Sequence, residues 1–412
     1  MSAEIKKRAL RIVILFGVGS LLGDFIYEGA RGINGAYLQV LGASSLAVGI
    51  TGGLGEFLGY AARLFSGYGV DRTRAYWLFL FLGYGLLCSV PMLSYVNGWI
   101  LAALLIVLER LGKAIRSPAK DTILSFASKS LGSGFTFGLH ELLDQIGALL
   151  GPVILSLILA RGAAGSRQSY QGAYHFLWIP LLLMALVWMI AYFYAKEPVS
   201  LEKDFVRGES REGDIGLWNR AFMVYLIFTF LTTAGLLNFI LIAYHIKSHA
   251  LFSDAQIPIF YAVAMAVDGI FALILGHFYD RLKKDLHVFQ VMFKMLFMVP
   301  FLSALIPFAI LLWRGMAWVW AGFFILGLVM SVHETLLRAV VADLVPARHR
   351  GRYFGLFHCV YGFGMFTGGV LGGWLYGIST GLLSGVLLII QLTAGSFLII
   401  FRSRWLKGPQ ES

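Results

Sequence analysis

Cysteine is nearly absent from this 412-residue chain. Cys88 and Cys359 both fall in apolar helical stretches of different halves, which excludes a disulfide scaffold, and no Cys-x-x-Cys or His-Glu-x-x-His pattern offers a metal site. Charge is scarce as well, at 13% of residues, against about 25% in ordinary soluble domains. Acidic groups are the rarer sign, 22 against 33 basic ones, for a formal net charge of +11. What the chain has instead is 58% hydrophobic residues and a mean hydropathy of +0.78. That much apolar surface cannot be hidden inside a water-soluble globule, so the solvent is a bilayer.

A hydrocarbon core needs about 20 apolar helical residues per crossing. Twelve such stretches are expected: 9–31, 45–66, 76–95, 98–117, 135–160 and 175–195, then 218–245, 257–278, 288–312, 316–340, 353–377 and 380–401. The first is too long to be a cleavable leader and is expected to be retained. Lys and Arg concentrate in alternate connections: Lys6 to Arg11, Arg72 and Arg74, Lys120 and Lys129, Lys203 to Arg220, Arg281 to Lys284, Arg348 to Arg352, and Arg402 to Lys407. Positive loops face the cytoplasm, which places both termini there and accounts for the net charge without nucleic acid. The mixed-charge run at 196–217 reads as a cytoplasmic linker between an amino-terminal bundle, 1–195, and a carboxy-terminal bundle with a short tail, 218–412.

The halves repeat each other. Gly-x-x-x-Asp-Arg occurs as Gly67, Asp71 and Arg72 and again as Gly276, Asp280 and Arg281, 209 positions on. Span five carries Gly138, Gly147, Gly151 and Pro152, and span eleven repeats the spacing as Gly355, Gly364 and Gly368. Glycines at helical spacing let two helices approach closely. Glu109, Lys113 and Ala114 of span four match Glu334, Arg338 and Ala339 of span ten.

Ionisable residues inside apolar spans are costly unless they face a partner or water. Span one carries Asp24, Tyr27, Glu28 and Arg31 on one helical face. Span two adds Glu56 and Arg63, span four Glu109, Arg110, Lys113 and Arg116, and span five His140, Glu141 and Asp144. The second half offers fewer, among them His245, Asp268, His333, Glu334, Arg338 and His358. Two readings stand side by side. The span-one charges form a working site, or they form a neutralised structural cluster tied to Lys113 or Arg116. His140 and Asp144 are spaced to satisfy each other, Arg116, Lys120 and Asp121 lie where they snorkel toward the cytoplasm, and most aromatics face lipid or its interface.

With these motifs the chain resembles the major facilitator superfamily, in its bacterial form, over essentially its whole length. The segment Gly67-Tyr68-Gly69-Val70-Asp71-Arg72 looks like the family's loop signature after span two, with Gly276 to Arg281 as its echo. The resemblance implies an all-α integral membrane protein with twelve transmembrane helices in two pseudo-symmetric six-helix bundles. It implies a cytoplasmic latch at Asp71, Arg72, Asp280 and Arg281, and a central cavity faced by Asp24, Glu28, Arg31 and Glu109. The span-five glycines are similar to the family's antiporter pattern, with Leu155 and Ser156 where a Gly-Gly pair is usual. The expectation is a monomeric carrier of the cytoplasmic membrane, without cofactor or metal, exporting a small-molecule substrate against protons. Proton-coupled uptake of an anionic solute on Arg31, Arg110 and Lys113 is the alternative, and a non-transporting sensor on the same scaffold a third. An intramembrane enzyme lacks its nucleophile or metal pattern, and a channel has no use for two latches.

Overall fold

The computed structural model describes residues 3–131, 133–163, 165–195, 220–285, 288–313, 315–344 and 350–406. The expected linker at 196–217 lies outside them. Among the described residues the chain is helical, with no strand. A backbone in hydrocarbon has no water to bond, so it satisfies its own amides as helix. The helices are α1 (Ala3–Val40), α2 (Ser45–Thr73), α3 (Tyr76–Gly85), α4 (Trp99–Leu131), α5 (Ser133–Arg161), α6 (Arg167–Phe176), α7 (Trp178–Tyr194), α8 (Arg220–Ala234) and α9 (Phe239–Ser248). They continue as α10 (Gln256–Asp285), α11 (Val288–Leu296), α12 (Met298–Pro307), α13 (Met316–Ser331), α14 (Leu337–Leu344), α15 (Arg350–Ile378) and α16 (Thr380–Leu406). Short helical turns join α3 to the segment Ser89–Met92, and π-turns at Phe308–Leu312 and Val332–Leu336 follow α12 and α13.

Ten stretches among the described residues are long and apolar enough to cross a membrane. Of the twelve expected, the second and fourth are absent from that set. Both are helices of ample length, α2 and α4, but α2 carries Glu56 and Arg63, and α4 carries Glu109, Arg110, Lys113 and Arg116. The charge that sets α4 apart from the apolar spans is the charge that builds the site below.

The chain packs as two units. Unit 1 holds Met1–Ala43, Leu58–Ser210 and Ile246–Ala262; unit 2 holds Ser44–Phe57, Arg211–His245 and Val263–Ser412. The repeat divides the chain by sequence, whereas packing exchanges two short segments between the halves.

Within unit 1, α1 lies against α4, α5 and α7. Its closest approach is to α5, where a Cβ at Gly147 would overlap the Leu21 carbonyl oxygen and one at Gly151 the Phe25 carbonyl oxygen. Unit 2 repeats the seam between α8 and α15, with Gly364 against Phe230 O and Gly368 against Ala234 O. Leu21 and Phe230, like Phe25 and Ala234, are 209 positions apart, the offset of the charged signature. Gly138 has open space around it, and Pro152 packs beside Gly32 of α1. Gly355 is buried in α15.

Aromatic residues fill the interior of both units. Tyr37 donates to the carbonyls of Leu93 and Val96 at 3.0 and 2.9 Å, and Tyr174 donates to Asn34 Oδ1 at 2.7 Å. Tyr27, Tyr170, Tyr225, Tyr261 and Tyr353 are buried as well. The expectation that aromatics mostly face lipid fails for these tyrosines; the hydroxyls of Tyr37, Tyr174, Tyr225 and Tyr261 find inside the protein the polar partner that hydrocarbon lacks.

Candidate functional site

The dense charges of the first half converge inside unit 1, on α1, α4 and α5. Glu28 is its hub. The carboxylate is 5% exposed, and Arg31, one turn along α1, places Nη1 3.1 Å from Oε1 and 3.4 Å from Oε2. From α4, Lys113 brings its ammonium to 4.0 Å from Oε1 and donates to Tyr27 Oη at 2.8 Å. Tyr261, from α10, donates its hydroxyl to Oε2. A buried carboxylate with two cations and a phenol keeps its charge matched and its lone pairs occupied.

Tyr27 serves as the floor of the cluster. The Lys113 ammonium sits 4.3 Å from its ring centroid, Arg116 Cζ 5.4 Å and Arg110 Cζ 6.0 Å, within cation–π range. Arg116 is also 4.7 Å from the ring of Tyr84. It is only 4% exposed, and its Nη1 has no hydrogen-bond partner. The snorkelling expected of Arg116 and Lys120 is therefore corrected: two tyrosines cover Arg116, and Lys120 turns inward to Ser20 Oγ at 3.0 Å and Asp144 Oδ2 at 3.5 Å.

A second polar knot lies along the same helices. His140 Nε2 approaches Asp144 Oδ2 to 3.5 Å, yet neither imidazole nitrogen makes a hydrogen bond, so Lys120 rather than His140 holds Asp144. Asp24 stands between the knots, half-buried and under the charges of Asp144, Lys113 and Lys120. Arg110 Nε pairs with its neighbour Glu109 Oε2 at 3.2 Å, while Glu109 Oε1 is buried without a partner.

Exposure sorts these groups by what a solute can reach. Among the ion-paired side chains of the hub, Arg31 and Lys113 are 23% and 29% exposed, whereas Glu28, Glu109 and Arg110 are 6%, 4% and 8%. Two cationic heads over a buried carboxylate are what the cluster presents. No group of three or more potential metal ligands occurs among the described residues.

The other expected site residues are placed elsewhere. Glu56 lies in the segment assigned to unit 2. Asp268 is buried in α10, while Glu334, in the π-turn, and Arg338, in α14, are exposed within unit 2. His333 is buried beside Glu334, with Nδ1 3.4 Å from Tyr361 Oη. Of the latch residues, Gly67 and Gly276 are helical, and Asp71, Arg72 and Arg281 are exposed. Arg72 bonds Tyr68 of its own helix at 3.1 Å, and Asp71 forms no ion pair among the described residues. The Asp280 side chain lies outside the described residues.

Sequence reading missed Tyr261, Tyr84 and Ser20. Each is a polar hydroxyl in an otherwise apolar stretch, and nothing local linked Ser20 or Tyr261 to partners 100 and 233 positions away.

Residues 15–337 match the family model described as Major Facilitator Superfamily. An uncharacterised protein of Mycobacterium tuberculosis (strain ATCC 25618 / H37Rv) is 37% identical over 391 residues, 94% of this chain and 91% of its own length. An uncharacterised MFS-type transporter of Methanocaldococcus jannaschii is 35% identical over 150 residues, 36% of this chain and 37% of its own. Among solved structures, a POT family transporter in complex with 5-aminolevulinic acid superposes with a TM-score of 0.74 at 13% identity, covering 96% of each chain. The nucleoside transporter NupG does so with a TM-score of 0.68 at 15% identity, covering 97% of this chain and 100% of its own. At such identities the likeness concerns the fold alone.

Proposed function

The chain belongs to the major facilitator superfamily of multi-pass membrane transporters, and from that premise we propose a proton-coupled carrier that moves a small organic solute across the cytoplasmic membrane by alternating access. The observation that supports this reading is the sharing of one buried carboxylate, Glu28, among Arg31, Lys113 and Tyr261. While Glu28 is ionised, its charge occupies both reachable cations. A proton on Glu28 removes that charge, and an anionic group of a solute takes its place beside Arg31 and Lys113. Proton and anion then bind together, which makes transport symport and the solute a carboxylate- or phosphate-bearing molecule. The guanidinium of Arg31 supplies the planar donor pair such a group accepts from.

Export by proton antiport is the second reading, favoured by Asp24. This carboxylate is half-buried rather than sealed, so a cationic solute and a proton would compete for it. Either form works as a monomer, with both termini cytoplasmic.

The experiment is solute-evoked proton flux in liposomes loaded with a pH-sensitive dye, run with anionic, cationic and neutral panels. Symport predicts acidification of the lumen when an anionic solute enters, lost in Glu28→Gln. Alkalinisation driven by cationic solutes and lost in Asp24→Asn would replace symport by antiport. Binding without proton movement across all three panels would leave a uniporter or a sensor.

A further inference from the structure

Among the described residues Glu28 has one partner that belongs neither to α1 nor to α4. Tyr261 lies on α10, 2% exposed, in the segment Ile246–Ala262 that packs within unit 1, and its hydroxyl donates to Glu28 Oε2. Other polar anchors of that segment lie outside the Glu28 cluster. Ser156 Oγ donates to Ala255 O at 2.6 Å, and the Gly165 amide donates to Asp254 Oδ2 at 2.7 Å. Asp254 also holds Lys247, whose ammonium lies over the Tyr170 ring at 5.5 Å. Pro258 fills the space that a Cβ at Gly32 would take.

We propose that Tyr261 is the positioning residue that makes the docking of Ile246–Ala262 within unit 1 depend on the charge of Glu28. The inference rests on the reading of Glu28 as the proton-coupling carboxylate. A hydrogen bond to an ionised acceptor is roughly twice as strong as one to a neutral group. When Glu28 takes a proton, Tyr261 faces a neutral acid and this anchor weakens, while Ser156, Gly165 and Lys247 keep partners that lie outside the Glu28 cluster. The proton therefore acts on the segment through one phenol. By reciprocity, release of the segment raises the affinity of Glu28 for the proton by the same factor. The groups that face Glu28 are Tyr27 and Arg31 of its own helix, Arg110 and Lys113 of α4, and Tyr261 of α10. Among them Tyr261 alone belongs to the segment, so it is the route by which the charge is felt there.

The test needs no solute. Ala262 is 3% exposed in the docked segment and tolerates a cysteine with little change in volume. Ala262→Cys is placed in a background with Cys88→Ser and Cys359→Ser, and reconstituted full-length protein is labelled with a maleimide between about pH 8 and about pH 5. Rates are divided by the rate of denatured protein at the same pH, which removes the titration of the thiol. The parent is expected to label faster at low pH by about threefold to tenfold, because the bond to a neutral acid keeps roughly half the strength of the charge-assisted one. Tyr261→Phe and Glu28→Gln should each label without pH dependence and at least as fast as the parent at low pH, and the double variant no faster than Tyr261→Phe. Full pH dependence persisting in Tyr261→Phe, or a flat profile in the parent, overturns the proposal. If Glu28→Gln abolishes solute-driven proton flux while Tyr261→Phe still responds to pH as the parent does, Glu28 remains the coupling site and only the route through Tyr261 is refuted.

Discussion

Replacing Glu28 by Ala removes the acceptor of two Arg31 contacts at 3.1 and 3.4 Å, the counter-charge of Lys113 at 4.0 Å and the acceptor of the Tyr261 hydroxyl. Breaking a buried ion pair by deleting one partner costs about 3–5 kcal/mol, because the other charge is stranded. Here Arg31 and Lys113 retain 23% and 29% exposure and regain some hydration, which puts the expected loss near the lower end, about 3 kcal/mol. For a body of this size each kcal/mol moves the midpoint by about 2–4 °C, so Glu28→Ala should unfold about 6–12 °C below the parent. Glu28→Gln keeps one acceptor oxygen and should lose about half as much. Thermal unfolding in detergent, followed by tryptophan fluorescence, reads both. A Glu28→Ala midpoint within about 2 °C of the parent would refute the sharing of this carboxylate, since such a shift is smaller than that expected of a single kcal/mol.

Three further outcomes follow from the packing. Gly151→Val and its counterpart Gly368→Val force a side chain onto the Phe25 and Ala234 carbonyls; each should cost about 1–3 kcal/mol by overpacking, and unequal midpoint shifts beyond that range would break the symmetry argument. Lys120→Met deprives Asp144 of its ammonium and should lower the midpoint while leaving the stoichiometry of proton flux unchanged; an altered stoichiometry would move the coupling site to α5. Gln391 is fully buried, donating to Thr232 O at 2.9 Å and accepting from Thr232 Oγ1 at 3.3 Å, so Gln391→Leu should destabilise unit 2 by about 1–3 kcal/mol, read by the same melt, with flux intact.

The helical architecture was legible because a bilayer imposes it: apolar runs must be helices, and their lengths follow from its thickness. The repeat was legible too, since glycine and Asp-Arg spacings survive as patterns, and the structure adds that Gly147 and Gly364 meet carbonyls with the same 209-position offset. Chemistry on a single helix face, such as Asp24, Tyr27, Glu28 and Arg31, needs only the 3.6-residue period. Partners between helices do not. Lys120 read as a solvated terminal lysine because its distance from Ser20, 100 positions, carries no sequence signal. Arg31 read as the end of span one, whereas α1 continues to Val40 and the guanidinium pairs with Glu28 one turn below. The π-turns at Phe308–Leu312 and Val332–Leu336 left no mark, since a register shift of one hydrogen bond alters no residue preference.

The central claim is that Glu28 couples the proton to the solute rather than merely binding either. The most direct test compares two modes of the same carrier in liposomes, using a radiolabelled solute from the flux panel. Glu28→Gln should exchange internal for external solute at close to the parental rate, yet fail to accumulate it against a gradient under an imposed proton gradient. Accumulation by Glu28→Gln equal to the parent would contradict the account and return the span-one charges to a structural role.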